Sequence, residues 1–327
     1  TKLFSNTRYW RHESLEEIIA FLMKIYINNS NENWICDRMR QEFIEYNSDH
    51  ITDNILQADV LWLFSNWIWR EIPADLLNDK KVITTIHHID PEKLNIEDFL
   101  LRDKFCDAYH VFSEKTIPHF PKEVDRNKIH VIPYWYNENL WFNMQDKNSM
   151  REKFSIPQDK IVIGSFQRDT EGSDLKTPKL SKGPDIFCDI IEKLDKKPHV
   201  LLSGWRRQYI MSRLESADIT YSYFEMADFN TLNELYNCLD LYLVTSRQEG
   251  GPQAVLECAS NKTPILSTNV GFADKVLSDN CIVNNTQEFI DKINSSDFNY
   301  TYQNYEKLQE YTMQNSMPKY INVFKRL

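Results

Sequence analysis

Two glutamates eight residues apart, Glu249 and Glu257, lie in the stretch DLYLVTSRQEGGPQAVLE that runs from Asp240 to Glu257. Glu249 stands in a polar turn after an apolar run. Glu257 stands further along a helical segment, about two turns on at the 1.5 Å rise of each helical residue. Carboxylates placed so unequally can hold two different hydroxyl-bearing parts of one ligand. Between them Gly250 and Gly251 carry no Cβ, which lets a ligand approach the backbone. Pro252 suits the first helical position, where its missing N–H costs nothing. A strand that passes through a glycine turn into a helix gathers free N–H groups and the positive helix end at one point. That is chemistry for an anion, and phosphate is the first candidate.

A second set of candidates lies upstream. Arg168, Lys176, Lys179 and Lys182 share one polar loop in a chain whose 48 acidic and 38 basic residues leave a net charge of -10. Cations concentrated on a loop that follows a strand suit phosphate groups. His87 and His88 follow an apolar run, and so do Trp67 and Trp69. A histidine at a strand end is commonly a structural hydrogen-bonder. The two tryptophans could stack on a ligand, but core packing is the simpler reading.

These residues need a scaffold, and the apolar runs supply it. Short segments of strand character fall at 60–64, 82–86, 109–112 and 129–132, and again at 161–166, 199–203, 241–244, 264–268 and 281–283. Residues 23–29 can form a first strand or extend a helix expected at 14–22. Helical patterns occupy 35–46, a run opened by Gly183, Pro184 and Asp185, and 231–239, where TLNE reads as a capping box. Alternation of this kind predicts an α/β fold with parallel sheets, whose ligands collect at the carboxyl ends of the strands. A chain of 327 residues accommodates two such units. The boundary is expected in the polar stretch 143–160, giving units 1–148 and 149–305 with a helical tail 306–327.

The segment EGGPQAVLE resembles the E-x7-E motif of the retaining glycosyltransferases of the two-domain GT-B fold, family GT4, in which EGGPxxxLE is a common form. Other stretches join the resemblance. KIHVIPYWYNENLWF is similar to the sequence that closes the family's first domain, Arg168 and Lys182-Gly183 to its Arg and Lys-Gly, and VGF at 270–272 to its VGG turn. The tail looks like the terminal helices that cross back onto the first domain. The chain departs from the family in NNSNENW, which has no glycine where a glycine-rich loop is usual, and in Trp135, Tyr136, Asn137 and Lys262.

The resemblance implies two Rossmann-like domains with a cleft between them. It implies a nucleoside-diphosphate sugar as donor and transfer, with retention, to a hydroxyl of a glycan, lipid-linked or other acceptor held by the first domain. Glu249 would hold the sugar and Glu257 the ribose. Arg168, Lys182 and the amides from Gly250 and Gly251 to Pro252 would hold the diphosphate, and His87, in preference to His88, would lie beside the sugar. No cofactor and no metal are expected, because the chain contains no Asp-x-Asp triplet. Two rivals share the fold: a nucleotide-sugar 2-epimerase, and a binding-only subunit that accompanies an active partner.

Composition excludes other classes. The negative balance argues against nucleic acid, whose backbone is bound by clustered Lys and Arg. Six scattered cysteines without a CxxC read as buried reduced thiols of a cytosolic protein, and Cys106, His110 and His119 match no metal spacing. No run is long and apolar enough for a membrane span and no signal-peptide core is present, so a soluble, cytoplasmic protein is expected, with peripheral membrane contact left open.

Overall fold

The computed structural model describes residues 23–32 and 34–327, so the helix expected at 14–22 lies outside the described residues. The first sheet consists of β1 (Ile25–Ile27), β2 (Val60–Leu63), β3 (Lys81–Ile86), β4 (Ala108–Val111) and β5 (Ile129–Val131) in the order β1-β2-β3-β4-β5, with every pair parallel. VLWL in β2 and AYHV in β4 are buried along their whole length, which is why they read as continuous apolar runs and not as alternations. Of residues 23–29, Ile25–Ile27 form a strand and none extends a helix. The ends of β1 and β2 are tied by the Asn28 amide, which donates to the Ser65 carbonyl at 2.8 Å and accepts from the Ser65 N–H at 3.0 Å.

The second sheet contains β6 (Val162–Ser165), β7 (His199–Ser203), β8 (Tyr221–Phe224), β9 (Leu241–Val244), β10 (Ile265–Thr268) and β11 (Ile282–Val283). Its order is β11-β10-β9-β6-β7-β8. The direction of winding reverses between β6 and β9, and at such a switch point the chains leaving the two strands part and open a crevice. β8 carries no signal in the sequence. It is an edge strand, YSYF, with every residue only half-buried.

Five helices matter for the site: α1 (Ile35–Tyr46), α2 (Pro184–Glu192), α3 (Phe229–Asn237), α4 (Gln253–Asn261) and α5 (Met313–Phe324). The start of α3 corrects the capping-box expectation. The Asp228 carboxylate accepts the Thr231 N–H at 2.8 Å, so the helix begins two residues earlier and Thr231 lies inside it. α5 returns the chain to the first sheet, where the Tyr320 ring lies 5.6 Å from Trp62 and 5.9 Å from Phe43, and the Phe324 ring 5.0 Å from Trp62.

All six cysteines are unpaired and buried. Cys106 donates to the Thr84 hydroxyl at 2.8 Å, and His110 is locked between the Thr85 hydroxyl at 3.0 Å and the Ile132 carbonyl at 2.9 Å. Both belong to the packing of the first sheet. No helix among the described residues is long and apolar enough to cross a membrane.

Candidate functional site

The loops that leave β6 and β9 at the switch point are bound to each other. Thr245 donates through its hydroxyl to the Gly183 carbonyl at 2.8 Å, and the Arg247 and Gln248 N–H groups donate to the Ser181 carbonyl at 2.9 and 3.1 Å. Arg247 also grips the Asp185 carboxylate through two guanidinium nitrogens at 2.8 and 2.6 Å. Gly183 makes this approach possible. Its φ is +62°, and a Cβ there would stand 1.9 Å from the Thr245 carbonyl oxygen.

This clasp brings Lys182 and Glu249 together across 67 residues of sequence. The Lys182 ammonium donates to Glu249 Oε1 at 2.5 Å, and the Ser246 hydroxyl donates to the same oxygen at 2.9 Å. Arg168 lies to one side. Its Nε donates to the Thr170 carbonyl at 2.7 Å, and its guanidinium sits 5.3 Å from the ring of Trp205, whose other guanidinium neighbour is Arg206 at 5.1 Å. Burial and the Arg206 charge lower the Arg168 pKa.

Lys179 links the two groups, and sequence reasoning placed it on this loop without placing it in the site. Burial, followed by the charges of Lys182 and Arg168, pushes its pKa down to about 8. Lys182 and Arg168 thus lie close enough to Lys179 to disfavour its charged form, with Glu249 acting in the opposite sense. Lys176, by contrast, is exposed.

Glycines and proline of the turn depart from expectation in detail. Pro252 is the N-cap of α4, one residue before the first helical position. The room left by Gly250 and Gly251 is filled by the protein: a Cβ on Gly250 would stand 1.6 Å from the His87 carbonyl oxygen, and one on Gly251 2.0 Å from the Phe272 ring. Gly250 thus serves the close approach of the two sheets' loops, and Gly251 makes room for the Phe272 ring of its own unit. The sequence reading assigned that closeness to a ligand because a missing Cβ does not say what occupies its space.

Glu257 is 6% exposed. Its Oε2 accepts the Tyr236 hydroxyl at 2.7 Å, and its Oε1 accepts Arg38 Nη2 from α1 of the first sheet's unit at 3.4 Å. Arg38 is held between the rings of Trp141 and Phe229 at 5.1 and 5.0 Å and also donates to Gln253 Oε1 at 3.2 Å. Burial is the main influence on the Glu257 pKa and raises it, while Arg38 and Tyr236 pull it down. Nearby, Trp34 ends the glycine-free loop. Its indole reaches across to Gly204, 3.7 Å from where a Cβ would stand.

The first sheet contributes His87 and His88, at the carboxyl end of β3. His87 Nε2 lies 2.8 Å from the Phe64 carbonyl, an acceptor only, so Nε2 carries the proton and Nδ1 accepts the Tyr134 hydroxyl at 3.0 Å. Burial lowers the His87 pKa to about 4. With both nitrogens engaged and the ring neutral at ordinary pH, His87 builds the cleft wall. The imidazole open to solvent is that of His88. Protein crowding on one side, and after it the charge of Lys182, lower the His88 pKa, with Glu249 acting in the opposite sense.

Trp67 and Trp69 also part company. Trp69 is core at 6% exposure, whereas Trp67 is 46% exposed and its ring lies 5.7 Å from that of His87. Among the described residues no three His, Cys, Asp or Glu side chains gather as a metal site.

Two parallel α/β units, facing each other across a cleft that gathers cations and a carboxylate at a switch point, define the GT-B class of fold. Residues 175–296 match the family model Glycosyl transferases group 1. Over 65% of its length the chain is 24% identical to an O-antigen biosynthesis glycosyltransferase, WclY, of Escherichia coli, and it spans only 62% of that relative's length. Among solved structures it is similar to Alr3699/HepE of Anabaena in complex with UDP and glucose, with a TM-score of 0.76 at 12% identity over 93% of this chain and 100% of that one. It is also similar to sucrose-phosphate synthase of Thermosynechococcus elongatus, with a TM-score of 0.67 at 12% identity over 91% of this chain and 80% of that one. The family-model match falls on the second unit and includes EGGPQAVLE, and the likeness to solved structures is one of GT-B fold.

Proposed function

We propose that the chain is a GT4-type glycosyltransferase that moves a sugar from a UDP-sugar to an acceptor hydroxyl with retention and without a divalent ion. The observation that carries this reading is the meeting of Lys179, Lys182 and Glu249 at the switch point, opposite the histidines of the first sheet. UDP as the carrier is supported by the Anabaena neighbour, and a glycan acceptor by the name of the E. coli relative.

In this reading the diphosphate lies among Lys179, Lys182, Arg168 and the amide end of α4. Cleavage of the glycosyl phosphate bond builds negative charge on the leaving diphosphate, and these fixed cations stabilise it as it forms. They supply the positive charge that a metal brings elsewhere. Glu249 orients the Lys182 ammonium and receives sugar hydroxyls. Glu257, held in place by Tyr236 and Arg38, keeps lone pairs for the ribose. Retention is supported by the state of His87. An inverting reaction needs a base behind the sugar, and the accepting nitrogen of His87 is taken by Tyr134.

Donor hydrolysis tests the reading without knowledge of the acceptor. Purified protein incubated with a panel of UDP-sugars should release UDP, and NMR of the first anomer to appear should show the configuration of the donor. Activity should persist in chelator. Release of the opposite anomer ends the retention reading, and activity lost in chelator and restored by magnesium or manganese ends the metal-free one.

Lys179 adds a pH dependence. A diphosphate needs the ammonium form, so UDP affinity is expected to fall as pH rises through and somewhat above about 8, because the bound anion itself holds the proton on. Lys179→Arg, charged well beyond this range, should flatten that limb in titration calorimetry, and Lys179→Met should bind weakly at every pH. An identical limb in the wild type and in Lys179→Arg would assign the dependence to another group.

A further inference from the structure

Among the described residues, Trp67 is the one large aromatic in contact with the His87 ring that stays open to solvent, at 46% exposure. It rides on the short 3-10 segment Asn66–Glu71, immediately beyond the carboxyl end of β2. Three residues per turn send positions 67 and 69 in different directions, which puts Trp69 into the core under Arg70 and leaves Trp67 at the cleft. The segment is braced. Asn66 donates to the Thr85 carbonyl at 2.7 Å and accepts from Arg102 at 3.2 Å, while Ser65 is pinned by Asn28.

The surroundings decide what such a ring can meet. His87, whose ring is 5.7 Å away, is locked by Phe64 and Tyr134, and its carbonyl abuts Gly250 beside Glu249. A hydrogen-bonding pair lies two residues before Trp67 in the chain, where the Ser65 hydroxyl donates to that of Ser30 at 3.1 Å. A rigid exposed aromatic face with a polar rim matches a pyranose, which turns a patch of C–H bonds to one side and hydroxyls outward all round. The cations that suit a nucleotide belong to the other sheet, so the ring beside Trp67 is not the donor's base.

We propose that Trp67 is the platform on which a pyranose ring of the acceptor stacks, which makes the acceptor a glycan whose sugar is recognised by the first domain. This rests on the transferase reading above. Stacking holds the ring beside His87, whose carbonyl abuts Gly250 next to Glu249.

The test labels the protein with 5-fluorotryptophan and assigns the Trp67 resonance by its loss in Trp67→Phe. With UDP present, methyl pyranosides of glucose, galactose and N-acetylglucosamine are titrated, with glycerol 3-phosphate as the non-saccharide control. At least one pyranoside should shift the Trp67 resonance and the control should not. Trp67→Ala should weaken that pyranoside roughly tenfold, Trp67→Phe less, and UDP affinity should stay within about twofold in both. The platform is overturned if no pyranoside moves the resonance, if Trp67→Ala binds sugar as the wild type does, or if it loses UDP affinity in parallel. Failure of the wild type to bind UDP overturns the transferase reading instead, and the pyranoside titration, repeated without UDP, still decides the platform.

Discussion

Alanine at Glu257 is expected to lower the free energy of unfolding by about 3 to 5 kcal/mol, the cost of stranding one partner of a buried ion pair. Arg38 and Glu257 have side chains only 6% and 7% exposed, and among the described residues Glu257 is the carboxylate in an ion pair with Arg38. Two further nitrogens of the guanidinium, Nε and Nη1, are buried without a partner in the structure. Without Glu257 the charge would lie between Trp141 and Phe229 with only the Gln253 amide to accept from it. Urea denaturation of the wild type and Glu257→Ala measures the loss. The double variant Arg38→Met, Glu257→Gln should recover much of it, because removing both charges removes the stranded one. An unchanged urea midpoint in Glu257→Ala would show that the pair carries no stability. UDP affinity, measured below the unfolding transition, reports separately on the ribose role.

The second large effect concerns the pair at the switch point. Glu249→Ala should reduce turnover about a hundredfold through a misplaced sugar and a misplaced Lys182, with a modest loss of UDP affinity. Lys182→Ala should weaken UDP about ten- to hundredfold, the worth of a hydrogen bond to a charged group, and leave free uridine unaffected. The two side chains are 2.5 Å apart, so the double variant should cost less than the product of the single ones. Wild-type turnover in Glu249→Ala removes that residue from the reaction, and equal losses of UDP and uridine in Lys182→Ala move the diphosphate elsewhere. Strictly multiplicative effects would mean that the pair does not act as a unit.

Much of the scaffold was legible along the chain. Short apolar runs marked nine of the parallel strands, and β8 escaped because YSYF, half-buried throughout, contains no aliphatic residue. The loop after β6 and the turn after β9 could be named as candidates for an anion site for the same reason. Strand, glycine, cation and helix start follow one another in sequence, and their chemistry is local.

What the chain alone determined was therefore which residues stand at the carboxyl ends of the strands. Tertiary structure decided which of them face the cleft and which serve the packing. It turned the missing Cβ of Gly250 toward the His87 carbonyl, saturated both nitrogens of His87, exposed Trp67 while burying Trp69, and joined Glu257 to Arg38 across 219 residues. Propensity and turn chemistry act over a few residues and leave a periodic trace. A hydrogen-bond partner or a van der Waals neighbour drawn from another sheet leaves none, because it depends on how two separately folded surfaces come to rest against each other.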